Sequence, residues 1–150
     1  MSLIDIHNPD RKCEVANDDL RVRLRSYRDA KRRYEAAKLL LEECESLLTS
    51  ISIDYSAERV QRTPDMDRLG DLIDRLSRLR RECIWAAAET VECMQDVADL
   101  IDRVGSGTLH EILTRRYIRG QKWELIAEEM HYSLNGIHKL HRKALDILRK

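Results

Sequence analysis

Residues Leu109–Lys150 read LHEILTRRYIRGQKWELIAEEMHYSLNGIHKLHRKALDILRK, and the spacing of their apolar side chains decides what kind of chain this is. Leu109, Ile112, Leu113 and Tyr117 recur at helical intervals, which predicts an amphipathic segment over Leu109–Ile118. Arg119-Gly120-Gln121 ends it, because glycine supplies the backbone freedom that a helix terminus uses. Lys122–Met130 reads as a short helix with Trp123, Ile126, Ala127 and Met130 turned inward. After the turn His131-Tyr132-Ser133, a final helix places Ile137, Leu140, Ala144, Leu145 and Leu148 on one stripe.

Local chemistry agrees with that reading. Ala127 falls where two crossing helices must approach closely, and a small side chain permits it. Ser133 suits the N-cap of the last helix, since its hydroxyl can accept from the unpaired N–H groups of the first turn. If the turn needs a left-handed residue at position 131, histidine is among the better-tolerated side chains there. A short helix, a tight turn and a longer helix make up the helix-turn-helix plan, whose second helix lies in the DNA major groove.

The order L-I-A-E-E-M-H-Y-S-L-N-G-I-H-K-L-H-R-K-A-L-D-I-L resembles region four of the sigma-70 family, the module that reads the −35 promoter element. The sequence departs from that pattern at His131, where the family's turn carries glycine. It departs again at Leu134-Asn135-Gly136, which replaces an Arg/Glu-rich start of the recognition helix. The phrase RYIRGQKWELIAEEMHYS, with LHRKAL after it and YSAERVQ upstream, is similar to small phage and prophage regulators of the ArpU-like and RinA-like kind. That resemblance implies a DNA-binding transcription regulator with duplex DNA as partner.

Outward from this segment the chain is built of long helical patterns. Residues 1–17 carry Asn8-Pro9-Asp10 and no sustained period, and read as a mobile arm with room for a short helix around Arg11–Val15. Asn17-Asp18-Asp19 looks like a helix start, with carboxylates where the helix dipole favours them. From there Leu20, Leu24, Tyr27, Ala30, Tyr34, Ala37, Leu41, Cys44, Leu48 and Ile51 follow near-heptad spacing. The outer face of the first half is basic, through Arg21, Arg23, Arg25, Arg28, Lys31, Arg32 and Arg33. This run reads first as a solvated face, with an anionic partner as the alternative.

Ser52–Pro64 reads as a connection, with a short turn around Ala57–Gln61 and Val60 tucked under it. A second heptad pattern runs through Leu69, Ile73, Leu76, Cys83, Ala87, Thr90, Met94, Val97, Ile101 and Val104, broken at Arg80. Such a helix is roughly 55–60 Å long, too long for a compact C-terminal module to cover. It therefore pairs with the first helix, with another subunit, or with both. Leu72, Leu79, Ile84, Val91 and Leu100 offer a second apolar seam, which calls for a homodimer. Gly105-Ser106-Gly107 makes a hinge into the last segment.

The predicted architecture is all-α: an arm at 1–17, a long antiparallel, coiled-coil-like helical hairpin at 18–104, and a sigma-region-four-like helix-turn-helix at 108–150. Composition fits it, with 36% charged residues, no Phe, two Pro and five Gly. No apolar run approaches the ~20 residues of a membrane span. Met1–Asp10 lacks the basic start and apolar core of a secretory signal, so a cytoplasmic protein without membrane contact is expected.

The net charge of zero hides an asymmetry. Residues 107–150 hold 9 Lys+Arg against 5 Asp+Glu, so +4, and residues 1–106 hold the remaining 18 against 22, so −4. A basic segment on a slightly acidic body is the electrostatic footprint of a DNA-binding module. With Ile137, Leu140 and Ala144 inward, the last helix exposes Leu134, Asn135, His138, Lys139 and Arg142. Asn135 can pair both edges of an adenine, Lys139 can reach a guanine, and Leu134 can touch a thymine methyl. Gln121, Lys122 and Arg142 fall where the phosphate backbone passes, and Ser133 joins the DNA-binding set at the start of the helix. Gly136 reads as permitting close approach of helix and groove.

Other chemistries find little purchase. Cys13, Cys44, Cys83 and Cys93 form no C-x-x-C pair, and Cys44 and Cys83 lie on apolar faces, where thiols act as small hydrophobes. His138 and His141, three apart, read as polar groups flanking a core stripe rather than as metal ligands. No nucleophile–base constellation, phosphate loop or cofactor motif is present, so neither an enzyme nor a bound cofactor is expected. The competing reading is an interaction protein, in which a sigma-like module docks on RNA polymerase or another protein. A phage DNA-packaging small subunit is the other alternative.

Overall fold

The computed structural model describes the backbone of residues 9–57, 66–105 and 107–150, and the side chains of residues 19–51, 69–105 and 107–150. The described residues are helical throughout, with turns between. Helix α1 spans Pro9–Ala57, α2 Met66–Asp102 and α3 Thr108–Leu113. A π-helical turn follows at Thr114–Ile118, then α4 at Trp123–Glu129 and α5 at Leu134–Leu148. Among the described residues no helix is long and apolar enough to cross a membrane.

Helix α1 outruns its predicted limits at both ends. It takes in Pro9–Asn17, assigned above to an arm, so Asn17–Asp19 lies inside the helix instead of starting it. Proline suits a first helical position, where its missing N–H has no intrahelical acceptor in any case. Helix α1 also continues through Ser52–Ala57, assigned above to the connection. Residues such as Ile53 and Ser52 weaken a helix by only tenths of a kcal/mol each, too little to stop one already running. The rest of the arm, residues 1–8, and the turn beyond Ala57 with Val60 lie outside the described residues.

The chain divides into two compact units. One is Ala30–Val91; the other joins Met1–Asp29 to Glu92–Lys150. The division therefore crosses the long helices, at Asp29/Ala30 and Val91/Glu92, and does not fall at the glycine-containing connection near residue 106.

Within Ala30–Val91 the two long helices run antiparallel. Arg33 pairs with Glu89 at 2.7 Å and Arg80 with Glu45 at 2.9 Å, so the α2 partner number falls as the α1 number rises. Arg33 precedes Tyr34 and Glu45 follows Cys44, which puts the two pairs on opposite sides of the apolar seam. All four side chains are about half exposed. Such pairs fix register more than they stabilise.

Every α1 position in the predicted stripe from Leu20 to Ile51 is buried or half-buried. On α2 the predicted positions are buried or half-buried except Ile73 and Met94. Leu69, Leu72, Leu76, Leu79, Cys83, Ala86, Thr90, Cys93, Val97 and Leu100 are covered in unbroken three–four alternation, with Ala87, Ala98 and Ile101 covered beside them. Leu72, Leu79 and Leu100, assigned above to a second seam, thus belong to the first. Ile73 and Met94, assigned to the first, are exposed. Arg80 is no fault in the pattern, since it stands beside the seam and holds Glu45. Thr90 is accommodated because its hydroxyl donates to the Ala86 carbonyl at 2.7 Å.

In the other unit, Leu20 and Leu24 of α1 and Val97, Leu100 and Ile101 of α2 form one core with Leu113, Tyr117, Ala144, Leu145 and Leu148. The C-terminal segment is therefore seated on the base of the hairpin and shares its core. Gly105 (φ 80°) and Gly107 (φ 122°) turn the chain between them, both in conformations that side chains disfavour.

Candidate nucleic-acid interface

The C-terminal helices are held by two apolar clusters and one polar lock. Ile112 faces a small cluster with Ile126, Ala127 and Ile137, against which Trp123, Met130 and Leu140 pack. Its neighbour Leu113 faces the larger core. Both can be buried because Leu109, Ile112, Leu113 and Tyr117 form a broad inward face, as the spacing predicts. The π-helical turn, closed by the Arg119 N–H on the Thr114 carbonyl at 3.0 Å, carries the chain from α3 to Gly120. Arg115 binds Glu111 of α3 through Nε and a terminal nitrogen, at 2.9 and 2.7 Å, and Glu129 of α4 through the other nitrogen. That bridge ties α3 to the end of α4. It also raises the Arg115 pKa further, first through the Glu111 hydrogen bonds.

Two left-handed residues make the turns. Gly120 (φ 71°) lets the Gln121 N–H return to the Arg115 carbonyl at 3.0 Å. His131 (φ 57°) is the non-glycine left-handed residue foreseen at the α4–α5 turn, and the Tyr132 N–H closes that turn on Ala127 at 2.9 Å. Ser133 then caps α5, its hydroxyl accepting from the Gly136 N–H at 3.1 Å. Ala127 is buried between the helices. Gly136 serves the cap rather than an outer surface, because a Cβ there would sit 3.1 Å from Ser133 Oγ.

The outer face of α5 carries Leu134, Asn135, Lys139 and Arg142, all exposed. Lys122 is exposed at the N-cap of α4, and Ser133 is exposed while its hydroxyl caps α5. Two predicted contacts are placed differently. Gln121 is half-buried, its amide nitrogen donating to Glu129 at 3.2 Å and its Oε1 enclosed without a partner. His138 is half-buried too, its ring 5.1 Å from that of Trp123. Trp123 is broad enough to cover the side of α5 that a helical wheel leaves open.

Trp123 organises an aromatic group behind that face. Its ring lies 4.8 Å from His141, edge-on, and the Arg116 guanidinium stacks on it at 4.7 Å. Arg116 also donates to the Gln121 carbonyl at 2.8 Å. The Tyr117 hydroxyl meets His141 Nε2 at 3.0 Å. Burial, followed by the charges of Arg21, His138, Arg116 and Arg142, lowers the His141 pKa to about 4. The imidazole is therefore neutral at neutral pH. Burial raises the Tyr117 pKa, against the pull of Arg25, Arg116, Arg21 and Arg28.

These influences locate a feature that the spacing alone does not reveal. Arg21, Arg25 and Arg28 stand one helical turn apart on α1, on the side that reaches Arg116, Tyr117 and His141. Arg28 extends over the turn at Gly120, where a Cβ would lie 4.0 Å from its Nε. Burial lowers the Arg116 pKa, and the nearby Arg28 and Arg25 lower it further, with Glu124 opposing. The i, i+4, i+7 spacing of three arginines was the available signal in the sequence. Comparison with family models, with curated proteins and with solved structures finds no match to this chain.

Proposed function

We propose that this chain binds duplex DNA sequence-specifically, as a transcription regulator of phage or prophage type, with α5 laid in the major groove. The observation that carries the reading is the outer face of α5. Leu134, Asn135, Lys139 and Arg142 are exposed together on a helix whose opposite face is locked by Ile137, Ala144, Leu145 and Leu148. Asn135 and Lys139 suit base edges, and Arg142 and Lys122 suit phosphates. The resemblance to sigma-70 region four and to ArpU-like and RinA-like regulators supports the same partner.

A protein contact stands beside it, favoured by an exposed apolar stretch of α2. Ile84 is 68% exposed, Trp85 76% and Val91 61%. We assign this face to a second copy of the chain. Residues 66–81 carry five arginines against three aspartates, whereas residues 82–102 carry six acids and no Lys or Arg. Two α2 helices packed antiparallel about the Ala87–Ala88 midpoint would set Ile84 of each against Val91 of the other. The arginine-rich half of one would then face the acidic half of its partner. A dimer also suits the reading of two half-sites. Docking on RNA polymerase is the competing occupant of this face.

Selection of bound duplexes from a random pool by the full-length protein tests the function. A recovered consensus, arranged as two related half-sites, is the expected result. Recovery of no preferred sequence, with no retention of duplex at low salt, would overturn it.

A further inference from the structure

Arg25 and Arg28 of α1 lie near Arg116, Arg21 lies near Tyr117 and His141, and Arg28 Nε reaches the turn at Gly120. Among the described residues none of Arg21, Arg25 and Arg28 has a carboxylate partner in hydrogen-bond range. The three α1 arginines span about 10 Å of helix axis at 1.5 Å per residue, the scale of four successive phosphates at a 3.4 Å rise per strand. Leu20 and Leu24 beside them are buried in the same core as Leu145 and Leu148 of α5. The arginine row is thereby fixed relative to α5. Guanidinium groups match phosphate oxygens with paired donors and cannot be deprotonated. The Arg116 group is anchored on Trp123 and on the Gln121 carbonyl, so its charge is held in place at the end of the row.

We infer that Arg21, Arg25 and Arg28 of α1, backed by Arg116, form a second phosphate-binding surface that grips the DNA backbone beside the groove entered by α5. This rests on the DNA-binding reading above. It gives the basic part of α1 a role in affinity without a role in sequence choice, since phosphates carry no base information. The bases are read by α5, and the backbone is held by the base of the hairpin.

The test is a salt titration of binding by full-length protein to the selected duplex and to an unrelated one, followed by fluorescence anisotropy. The variants are Arg21→Gln/Arg25→Gln/Arg28→Gln and, to separate charge from folding, Arg21→Lys/Arg25→Lys/Arg28→Lys. Each lost contact removes about 0.9 from the log–log slope, so wild type should lose on the order of 40-fold more affinity than the Gln variant between 50 and 200 mM salt. The preference for the selected duplex should be unchanged, and the Lys variant should keep most of the slope. A Gln variant with the wild-type slope, while Asn135→Ala still weakens the selected site, overturns the second surface and leaves the DNA reading standing. Wild-type protein that binds no duplex at low salt overturns both. Loss of the Gln variant's binding to single-stranded RNA alone, with duplex binding unchanged, assigns the surface to RNA and also overturns it.

Discussion

The Tyr117 hydroxyl lies 3.0 Å from Nε2 of His141, joining the π-helical turn to the middle of α5 across the interior of the C-terminal unit. A neutral imidazole can accept the phenol proton at Nε2, and a protonated one cannot. The groups around it, Arg21 from α1, Arg116 from the π-helical turn, and His138 and Arg142 from α5, act with burial against protonation.

A pH dependence follows. The folded-state value of about 4 lies below the ordinary 6.5, so the unfolded chain takes up the proton first as pH falls. The contribution of neutral His141 is fully present above pH 6.5 and is lost progressively between 6.5 and 4. Stability should drop by roughly 1–2 kcal/mol from pH 7 to pH 5, solvent screening included. Thermal unfolding across that range should show the drop in wild type and a flatter profile in His141→Gln. Equal profiles for the two proteins would remove His141 as its source.

At the α4–α5 turn, His131 occupies a left-handed conformation, which costs a β-branched residue far more than glycine. His131→Gly should therefore hold or raise the unfolding midpoint, while His131→Val should lower stability by about 1–2 kcal/mol. A valine variant as stable as wild type would mean that the turn adopts another conformation in solution.

Inside the unit, Ile137 is fully buried and Asn135 fully on the surface side of α5. Truncation of Ile137 to Ala should cost about 2–5 kcal/mol, whereas Asn135→Ala should leave stability within about 0.5 kcal/mol of wild type. His138→Ala should fall between them, because it strips a ring from Trp123. Chemical denaturation of the three variants checks the order.

The α2 face gives a prediction about assembly. Ile84→Glu/Val91→Glu places charge on residues that are already exposed in a single chain, so folding should survive. Sedimentation at micromolar concentration should show a dimer for wild type and a monomer for the double variant. A wild-type monomer would reassign the face to a different protein.

The legibility of the sequence differed from one part to another for physical reasons. The inward residues of the last three helical segments could be read directly, because Ile112, Leu113, Ile126, Ile137 and Leu145 each lie on one clear apolar face. Ser133 and His131 could be read because capping and left-handed turns have chemical requirements. The α2 stripe was harder at Leu72/Ile73 and Cys93/Met94, where two adjacent apolar residues compete for one inward position. Between them Leu79 takes the inward place, and Arg80 stands beside the seam bound to Glu45. The covering of His138 depended on how far Trp123 reaches, which no spacing encodes. The approach of Arg25 and Arg28 to Arg116 depended on tertiary packing between segments about 90 residues apart.

The central claim is that the exposed face of α5 reads bases. The direct measurement is the affinity of Asn135→Ala and Lys139→Ala proteins for the selected duplex, set against an unrelated duplex and against thermal stability. The account predicts a loss on the order of 1–3 kcal/mol per variant on the selected site, little change on the unrelated one, and unaltered melting. Wild-type affinity for the selected duplex in both variants would contradict it, and would mean that another face, or another partner, carries the function.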